Sequence, residues 1–584
     1  MQDIKSTLKK VIQSLYNLDF DPDLTPSPEN IDADYSTNVP LKLAKELHES
    51  PMTIAENLAA EFNARMTDSQ QSRDGVFAST SAPGFLNFAM SDNYLSAEIT
   101  DLSADFNRII SSNEYSGKTV ICEFSDPNPF KVLHVGHLYT SIVGDAISNL
   151  FEYAGAKVIR ANFGGDVGLH VAKTMYVLRQ KNLEELKIED IARCYVEGTA
   201  LYDDDETAHQ EITALNKEIY KINSENLHDS DLAKLYWRGR ELSYDYFKSF
   251  YSSIGVKFDK YYPESTVAAL GLRTVQEQLK NGIYEKSEGA VIFNGDKYGL
   301  HTRVFINKEG VPTYEAKDVG LIFTKWQDYH FDKSVVITGS EQLDYMKVVL
   351  KSVEQYAPEL VEKTTHLTHG LVKLPGNVKM SSRKGNFLKA VDVLEMIKKE
   401  LQEEYNSLDE TISLAATKYA FLKYKMGGDI VFDPKESVKM TGNSGPYLLY
   451  SAVRAKKILS KAKGLEDKIH ASIRDDGSER RSEPCDDGSE RGGERELVFE
   501  PSERSLMKKI LEYKDILQDA VTEMAPHKLA NYLYELAQAF SRFYEDCPVA
   551  GSDREAERFK LVKVYLDTMT HGLQILDINI PEEM

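Results

Sequence analysis

Between residues 118 and 163 the sequence reads as strand, tight turn, helix and strand, and this run constrains the fold more than any other feature. The segment KTVICEF has the apolar pattern of a buried strand, and after the turn DPNP a stripe of apolar residues recurs at helical spacing up to Ala154. Gly155 is placed to end that helix, and AKVIRANF is the next strand. This order predicts the βαβ unit of a doubly wound, parallel-sheet α/β fold.

The whole chain of 584 residues is too long for a single core, so several domains are expected. Residues 1–112 read as a small α/β domain, 113–390 as the parallel-sheet domain, and 391–584 as an all-helical domain. Charged helical sequence over about 175–290 reads as an insertion in the parallel-sheet domain. The low-complexity segment 472–496, in which DDGSER recurs, lacks the apolar content to fold and is expected to be a disordered loop.

Composition narrows the class of protein. Hydrophobic residues make up 42% of the chain, which is enough for packed globular domains. No apolar run approaches the roughly 20 residues that span a bilayer, and the N-terminus lacks the apolar core of a signal peptide, so we expect a cytoplasmic protein without a membrane partner. The 4 cysteines form no C-x-x-C pair, which predicts neither a zinc module nor a disulfide framework. The net charge of −22 leaves RNA binding open, because affinity for phosphates depends on local basic patches.

The first motif with chemical content is FSDPNPFKVLHVGHL, in which His134 and His137 flank Gly136 at the start of the predicted helix. Amides at a helix N-terminus and a glycine that permits close backbone approach both favour phosphate binding. Imidazoles placed there, neutral or protonated, can donate hydrogen bonds to phosphate oxygens. Two surface histidines in a loop are the alternative. No third ligand lies nearby at a suitable spacing, so no metal site is predicted.

The second motif is the basic stretch VKMSSRKGNF, which carries Lys379, Arg383 and Lys384 beside two hydroxyls and Gly385. A mobile loop of this kind can close on a triphosphate and stabilise departing pyrophosphate, which is work of positioning and electrostatics. An exposed basic turn is the alternative interpretation. In this order along the chain, the two motifs resemble the HIGH and KMSKS signatures of class I aminoacyl-tRNA synthetases.

That resemblance implies a Rossmann-like fold of the HUP type, ATP as a substrate, Mg²⁺ accompanying the ATP, and no tightly bound protein metal. The sequence departs from the pattern at the second lysine of KMSKS, where Ser382 stands, and Arg383 or Lys384 would supply the missing charge. The implied catalytic residues are His134, His137, Lys379, Arg383 and Lys384. The implied ATP-binding residues are His134, Gly136, His137, Lys379, Met380, Ser381 and Ser382.

Several polar residues fall where a parallel sheet binds its ligands. Glu123 ends the first strand, and Gln342 follows the strand VVITG. Tyr314 and Asp318 are four positions apart in a predicted helix, so they project from one face. Carboxylates held in a pocket are the natural partners of a guanidinium group. For each position taken alone, a solvated polar residue is the alternative.

The segment EFSDPNPFKVLHVGHL resembles the EFSSPN-x-x-K-x-x-HVGHL segment of arginyl-tRNA synthetases, with Asp126 in place of a serine. The stretch NFGGDVGLH resembles the family's NHVGDWGTQ and shares Gly165, Asp166 and Gly168 with it. The resemblance implies that Glu123 and Asp318 are the charged partners of the substrate's guanidinium or α-amino group, with Asp318 expected at the guanidinium. The implied arginine site is lined by Glu123, Ser125, Asn128, His137, Tyr314, Asp318 and Gln342.

A candidate RNA surface lies in GNSGPYLLYSAVRAKKIL, which places Tyr447, Tyr450 and Arg454 on one face of a predicted helix. Aromatic rings beside an arginine suit the stacking of unpaired bases, and a core aromatic stripe is the alternative. The segment resembles the start of the family's anticodon-binding domain, near which Met584 would approach the anticodon. APGFLNFAMSDNYL resembles the family's extra N-terminal domain, which contacts the tRNA elbow.

The resemblance as a whole implies the arginyl-tRNA synthetase reaction, in which ATP activates L-arginine and the arginyl group passes to the 3′-terminal ribose of tRNA(Arg). We expect the protein to act as a monomer. A small-molecule nucleotidyltransferase would share the H-x-G-H turn, but it would not need a large helical domain with exposed tyrosines. A non-catalytic descendant that only binds RNA would lose active-site groups, and another class I specificity is the third alternative.

Overall fold

The computed structural model describes residues 2–28, 30–68, 75–181, 185–376, 388–461 and 498–584. The low-complexity segment 472–496 lies outside the described residues, and so does the whole basic motif. The predicted roles of Lys379, Met380, Ser381, Ser382, Arg383 and Lys384 therefore stay predictions.

The N-terminal part of the chain is an antiparallel four-stranded sheet accompanied by helices. Its strands are β1 (Thr25–Pro26), β2 (Tyr35–Thr37), β3 (Val76–Ser81) and β4 (Phe85–Met90), in the order β1-β2-β4-β3. Its helices are α1 (Gln2–Tyr16), α2 (Val39–Leu47), α3 (Pro51–Asp68) and α4 (Asp92–Ile110). The rings of Phe62 in α3 and Phe88 in β4 are fully buried and meet edge to face with centroids 5.0 Å apart.

The predicted βαβ unit is confirmed. It consists of β5 (Thr119–Glu123), α5 (Val135–Tyr153) and β6 (Lys157–Gly164), and β5 pairs with β6 in parallel. Helix α5 ends as the sequence predicts, because Gly155 adopts a φ of 89° that other residues rarely take. Its N–H donates to the carbonyl of Glu152 at 2.9 Å, and the N–H of Ala156 donates to Phe151 at 3.0 Å.

The expected helical insertion over about 175–290 needs a correction. Helices α6 (Leu169–Lys181), α7 (Ile188–Asp204), α8 (Glu206–Ser224) and α9 (Asp231–Ser253) do separate β6 from the next strand. The chain then returns to the central sheet as β7 (Lys260–Pro263), which pairs in parallel with β6, before α10 (Glu264–Lys280). This short strand has one neighbour, so it lacks the long apolar run that identifies a central strand.

The central sheet is completed by two later strands. The segment GAVIFN belongs to a separate antiparallel sheet of β8 (Glu285–Ser287), β9 (Ala290–Phe293) and β10 (Arg303–Ile306), in the order β10-β9-β8. The chain continues through α11 (Tyr314–Tyr329), β11 (Lys333–Gly339), a 3₁₀ turn (Ser340–Gln342), α12 (Leu343–Glu354), α13 (Pro358–Glu362) and β12 (Thr364–His369).

The resulting five-stranded sheet has the order β12-β11-β5-β6-β7, and all of its neighbouring strands run parallel. The strand order reverses between β5 and β11, because the chain moves outwards from β5 on one side and from β11 on the other. In sheets of this type, ligands bind in the crevice outside the carboxyl ends of the strands at such a reversal. The topology therefore predicts a site between β5 and β11.

In its described residues, 388–461 and 498–584, the C-terminal part is helical apart from one short strand. Strand β13 (Val372–Lys373) pairs in parallel with β14 (Ile430–Val431), which is a detail the helical pattern did not predict. The helices are α14 (Ala390–Tyr405), α15 (Glu410–Leu422), α16 (Pro434–Val438), α17 (Gly445–Lys461), α18 (Pro501–Leu511), α19 (Tyr513–Thr522), α20 (Pro526–Asp546) and α21 (Glu555–Ile575). Among the helices in the described ranges, none has the length and apolar character needed to cross a membrane.

Contacts across these parts hold helix α5 and the N-terminal sheet against the C-terminal helices. Asp34, which is buried beside β2, accepts hydrogen bonds from Arg504 at 3.0 Å and Lys508 at 2.9 Å in α18. Near the end of α5, the side-chain amide of Asn149 donates to the carbonyl of Ile575 at 3.0 Å. The helix whose first turn borders the predicted ligand site is thus also anchored to the last helix of the chain.

Candidate active site

A cavity of about 1010 Å³ opens at the carboxyl edge of the central sheet, where the topology places a ligand. Its wall combines the ends of β5, β6 and β11 with the first turns of α5 and α11. The wall includes the sequence-predicted residues Glu123, Ser125, Asn128, His134, Gly136, His137, Tyr314, Asp318 and Gln342. It also includes residues that the sequence analysis did not assign to the site: Asp126, Glu264, Arg303, Glu315, Tyr345 and His369.

The two histidines are fixed at the start of α5 by hydrogen bonds from the backbone. The N–H of Gly136 donates to Nδ1 of His134 at 3.1 Å, and the N–H of His134 donates to Nδ1 of His137 at 3.1 Å. Because a backbone N–H can only donate, each neutral ring carries its proton on Nε2. A Cβ atom at Gly136 would lie 2.9 Å from Cε1 of His134, so any side chain there would push against this ring. The two rings stack with centroids 3.9 Å apart.

The surroundings of these rings favour their neutral form. Burial lowers the pKa of His134 to about 4, and the positive charge of Lys131 acts in the same direction. Burial also lowers the pKa of His137 well below its ordinary value, with His134 and Lys131 adding to the effect. The sequence left open whether the imidazoles are neutral or protonated. In the folded protein they are neutral donors at neutral pH.

Glu123 lies at the end of β5 and is already paired inside the protein. Its side chain is buried, and its Oε2 accepts a hydrogen bond from Nζ of Lys325 in α11 at 2.6 Å. Lys325 is buried as well and also donates to the hydroxyl of Ser334 at 3.2 Å. The sequence gives no local signal for this pair, because its members are 202 positions apart. The charge of Glu123 is therefore balanced by a fixed protein cation.

Replacing Lys325 with methionine is expected to lower the free energy of unfolding by about 3–5 kcal/mol, because Glu123 would stay buried without its partner. The double variant Lys325→Met/Glu123→Gln removes both charges and should recover most of this loss. Urea denaturation of the parent and both variants provides the measurement. A single variant as stable as the parent would contradict the importance of the pair.

Asp318 lies on the first turns of α11, and its Oδ2 accepts a hydrogen bond from the hydroxyl of Tyr345 in α12. Burial raises the pKa of Asp318 to about 8. The hydrogen bond from Tyr345 acts against this rise, and the charges of Glu123, Glu264 and Glu315 add to it. In the part of the chain that the structure describes, Asp318 forms no ion pair. It is a buried carboxylate that a cationic ligand would stabilise.

Two further acids in the wall have fixed partners. Nζ of Lys317 lies 2.7 Å from Oε2 of Glu264, and both side chains are buried. Nη1 of Arg303 lies 3.2 Å from Oε1 of Glu315. Lys317 and Arg303 therefore balance the charges of Glu264 and Glu315, but not that of Asp318.

The remaining predicted residues occupy different depths of the site. Ser125 is buried and hydrogen-bonds through its hydroxyl to that of Tyr251 at 2.9 Å. Oδ1 of Asn128 accepts from the N–H of Gly165 at 2.7 Å. Tyr314 is 55% exposed and, with the exposed Gln342, lies at the mouth of the cavity.

Asp166, in the motif NFGGDVGLH, holds neighbouring elements of the fold together. It is fully buried, and its carboxylate accepts from the N–H of Ser265 at 3.0 Å and from Nε of Arg240 at 2.9 Å. These bonds tie the loop after β6 to α9 and α10, which holds that side of the cavity in place.

The candidate RNA residues lie on α17, away from the cavity wall. Tyr447 is partly buried, and its hydroxyl hydrogen-bonds to that of Ser541 at 3.2 Å. Tyr450 is more exposed, and Arg454 donates to its hydroxyl at 2.8 Å. The guanidinium of Arg454 also lies 4.8 Å from the ring centroid of the exposed Tyr544 in α20, which the sequence analysis missed. Met584 is partly buried against the same core.

Comparison with known proteins gives matches along most of the chain. The model of the family described as "tRNA synthetases class I (R), catalytic domain" matches residues 99–433, which is more than half of the chain. The "Arginyl tRNA synthetase N terminal domain" matches residues 2–90, and the "DALR anticodon binding domain" matches residues 448–584.

Similar whole proteins include three bacterial chains named arginine–tRNA ligase. Those of Treponema denticola and Clostridium botulinum are each 27% identical to this chain, and both alignments cover 100% of both chains. That of Borreliella afzelii is 29% identical over 83% of each chain.

Two solved structures share the fold. The arginyl-tRNA synthetase of Thermus thermophilus superposes with a TM-score of 0.76 at 22% identity and covers 100% of both chains. That of Plasmodium falciparum has a TM-score of 0.77 at 20% identity and covers 100% of this chain and 99% of its own. With the parallel sheet, the helical C-terminal part and the matched family models, these findings lead to one conclusion: the chain belongs to the class I arginyl-tRNA synthetase family.

Proposed function

We propose that this chain is an arginine–tRNA ligase that forms arginyl-adenylate from L-arginine and ATP and transfers the arginyl group to the 3′-terminal ribose of tRNA(Arg), for use in translation. The observation that carries the proposal is one cavity whose wall contains both Asp318, which is buried and forms no ion pair with any described residue, and two neutral imidazoles at a helix N-terminus. A carboxylate there suits a guanidinium, and imidazole donors there suit phosphate oxygens.

In the first step, the carboxylate of the bound arginine attacks the α-phosphorus of ATP, the bond to the bridging oxygen breaks, and pyrophosphate leaves. Negative charge grows on the phosphate oxygens as this bond breaks. The Nε2–H groups of His134 and His137 are donors that can meet this charge without a proton transfer. They need no rearrangement during the reaction, because the backbone already fixes both rings.

The arginine is held by the residues that the sequence motifs indicated. Asp318 accepts from the guanidinium, while Tyr314 and Gln342 contact the side chain from the mouth of the cavity. Glu123 contributes an oxygen whose charge Lys325 balances. The predicted ATP contacts of Lys379 and its neighbours complete the site from the segment outside the described residues.

In the second step, a ribose hydroxyl of the tRNA attacks the carbonyl of the adenylate, the ester bond forms, and AMP leaves. We assign tRNA binding to both terminal parts of the chain, residues 1–112 and 391–584. The exposed rings of Tyr450 and Tyr544 both lie close to the guanidinium of Arg454. This arrangement suits the stacking of unpaired bases. Tyr447 and Met584 lie in the same helical part and support this surface.

Mg²⁺ enters this proposal only as the counter-ion of the ATP substrate. Within the described ranges, no group of three or more His, Cys, Asp or Glu side chains is arranged to hold a metal ion. We further propose that the protein acts as a monomer in the cytoplasm.

Aminoacylation by the purified chain tests the proposal directly. Each amino acid is supplied separately with ATP and its matched tRNA, and arginine is expected to be the one that is charged. Citrulline is the matched control, because it keeps the shape of arginine but lacks the positive charge, and a site built for that charge is expected to reject it by about 10⁴-fold or more. Charging of lysine, glutamate or cysteine instead of arginine would overturn the assigned specificity.

A further inference from the structure

Asp126 is an acidic residue in the cavity wall that the reaction described so far does not use. It follows β5 on a turn in which Ser125 and Asp126 both adopt positive φ, 71° and 50° respectively. Positive φ is uncommon for a serine and only occasional for an aspartate, so two such residues in succession need contacts that hold the turn in place. One contact does so: Oδ1 of Asp126 accepts from the N–H of Phe163 in β6 at 2.7 Å. The turn thus fixes this carboxylate in the cavity wall.

The acidic side chains of the cavity wall differ in whether each has a cationic partner. Of the carboxylates that are not exposed, Glu123 pairs with Lys325, Glu264 with Lys317, and Glu315 with Arg303. Glu341 lies at the rim, where it is exposed to solvent. Asp126 and Asp318 are left, and neither forms an ion pair with any residue that the structure describes.

Burial raises the pKa of Asp126 well above its ordinary value, and the charges of Glu123 and Asp318 add to this rise. The backbone hydrogen bond from Phe163 and the charge of Lys325 act in the opposite direction. A carboxylate in these surroundings is ionised at low cost only when a cation is brought beside it.

The substrate assigned under the proposed function carries two cations, a guanidinium and an α-ammonium, and one carboxylate that must face ATP. We propose that Asp126 binds the α-ammonium group of arginine, so that the two carboxylates of the cavity that form no ion pair with a described residue receive the two cations of one substrate molecule. This inference rests on the proposed function and adds a specificity-determining residue to it.

The chain segments that carry the two acids indicate which cation each receives. Asp126 lies on the turn that leads into α5, so it belongs to the same chain segment as the imidazoles assigned to ATP. Asp318 lies on α11 against Tyr345. The α-ammonium and the reacting carboxylate are bonded to the same carbon, so the acid that binds the α-ammonium must lie on the ATP side. That acid is Asp126.

Asp126 is a position at which this chain differs from the family segment. The related segment of arginyl-tRNA synthetases has a serine where this chain has Asp126. A serine hydroxyl can accept a hydrogen bond from an ammonium group but supplies no charge. In this chain, recognition of the α-amino group is therefore expected to depend on its positive charge.

Competition between arginine and argininic acid tests this assignment. Argininic acid carries a hydroxyl in place of the α-amino group and keeps both the guanidinium and the carboxylate. The readouts are the KM for arginine and the inhibition constant for argininic acid in tRNA charging. Asp126→Asn keeps the oxygen that accepts from Phe163, and it is expected to raise the KM for arginine by about 10–100-fold while changing the inhibition constant less than about threefold. Asp318→Asn is the matched control and should weaken both ligands alike, because both carry the guanidinium.

The outcomes separate the alternatives. An Asp126→Asn variant that weakens arginine and argininic acid equally, or that leaves the KM for arginine unchanged, overturns the assignment. If Asp126→Asn does not fold, Asp126→Ser supplies the same comparison with the residue that the related segment carries. A parent protein that does not charge arginine at all would instead overturn the proposed function. That result differs from a failure of the Asp126 assignment, which concerns only the variants.

Discussion

Asp318→Asn is expected to raise the KM for arginine by about 10²–10³-fold or to abolish charging, while the affinity for tRNA stays near that of the parent. An asparagine has the same shape, but it presents one acceptor and one donor to a guanidinium and carries no charge. Loss of one partner of a buried, hydrogen-bonded charge pair typically costs about 2–5 kcal/mol, which corresponds to about 30- to 5,000-fold, and the expected change lies within this range. Steady-state charging kinetics and tRNA binding by filter retention provide the two measurements.

The same variant should be more stable than the parent in the absence of arginine. The pKa of Asp318 is raised from 3.8 to about 8, so folding favours its protonated form. An acid with a raised pKa in the folded state costs stability progressively as the pH rises between these two values. The melting temperature of Asp318→Asn should therefore exceed that of the parent most clearly at pH 8 and above, and the difference should vanish near pH 4.

These two measurements distinguish a binding role from a structural one. A residue that only supports the fold would reduce both charging and melting temperature when replaced. If Asp318→Asn charges arginine with an unchanged KM, the assignment of the guanidinium is wrong. Melting in excess arginine gives a further check, because the ligand should raise the melting temperature of the parent much more than that of the variant.

His134→Ala and His137→Ala are each expected to reduce kcat at saturating arginine and ATP by about 10²–10³-fold, because each removes one preorganised donor to the phosphate oxygens. The KM for arginine should change little, since the donors act mainly as charge grows during bond breaking. His228→Ala is the matched control, because His228 is exposed and lies outside the cavity wall. Single-turnover formation of the adenylate provides the measurement.

The pH dependence of kcat tests the protonation state of these imidazoles. Burial holds the pKa of His134 at about 4, so the neutral form is present throughout the range from pH 6 to 8. At saturating arginine, neither histidine should therefore contribute a step to the pH profile of kcat in this range. A kcat that rises about tenfold per unit as the pH falls from 8 to 6 would show that a protonated imidazole is required, which contradicts the neutral assignment.

The sequence by itself determined the local elements of this protein. The apolar run of KTVICEF, the helical stripe after it and Gly155 specify β5, α5 and the end of that helix, because strand and helix periodicity are properties of neighbouring residues. The same local pattern placed His134 and His137 at a helix start. The resemblance of the motifs to those of the family also indicated Glu123 and Asp318, which lie on elements that border one cavity.

Only the tertiary structure decided which charges are balanced and which are left for a ligand. Lys325 is 202 positions from Glu123, and Tyr544 reaches Arg454 from another helix, so no local pattern could pair them. The sequence pattern did not predict strand β7, because an edge strand of four residues needs no long apolar run. Burial, the number of nearby cations and the resulting pKa depend on distances in space. They therefore become defined only when residues far apart in the chain are packed together.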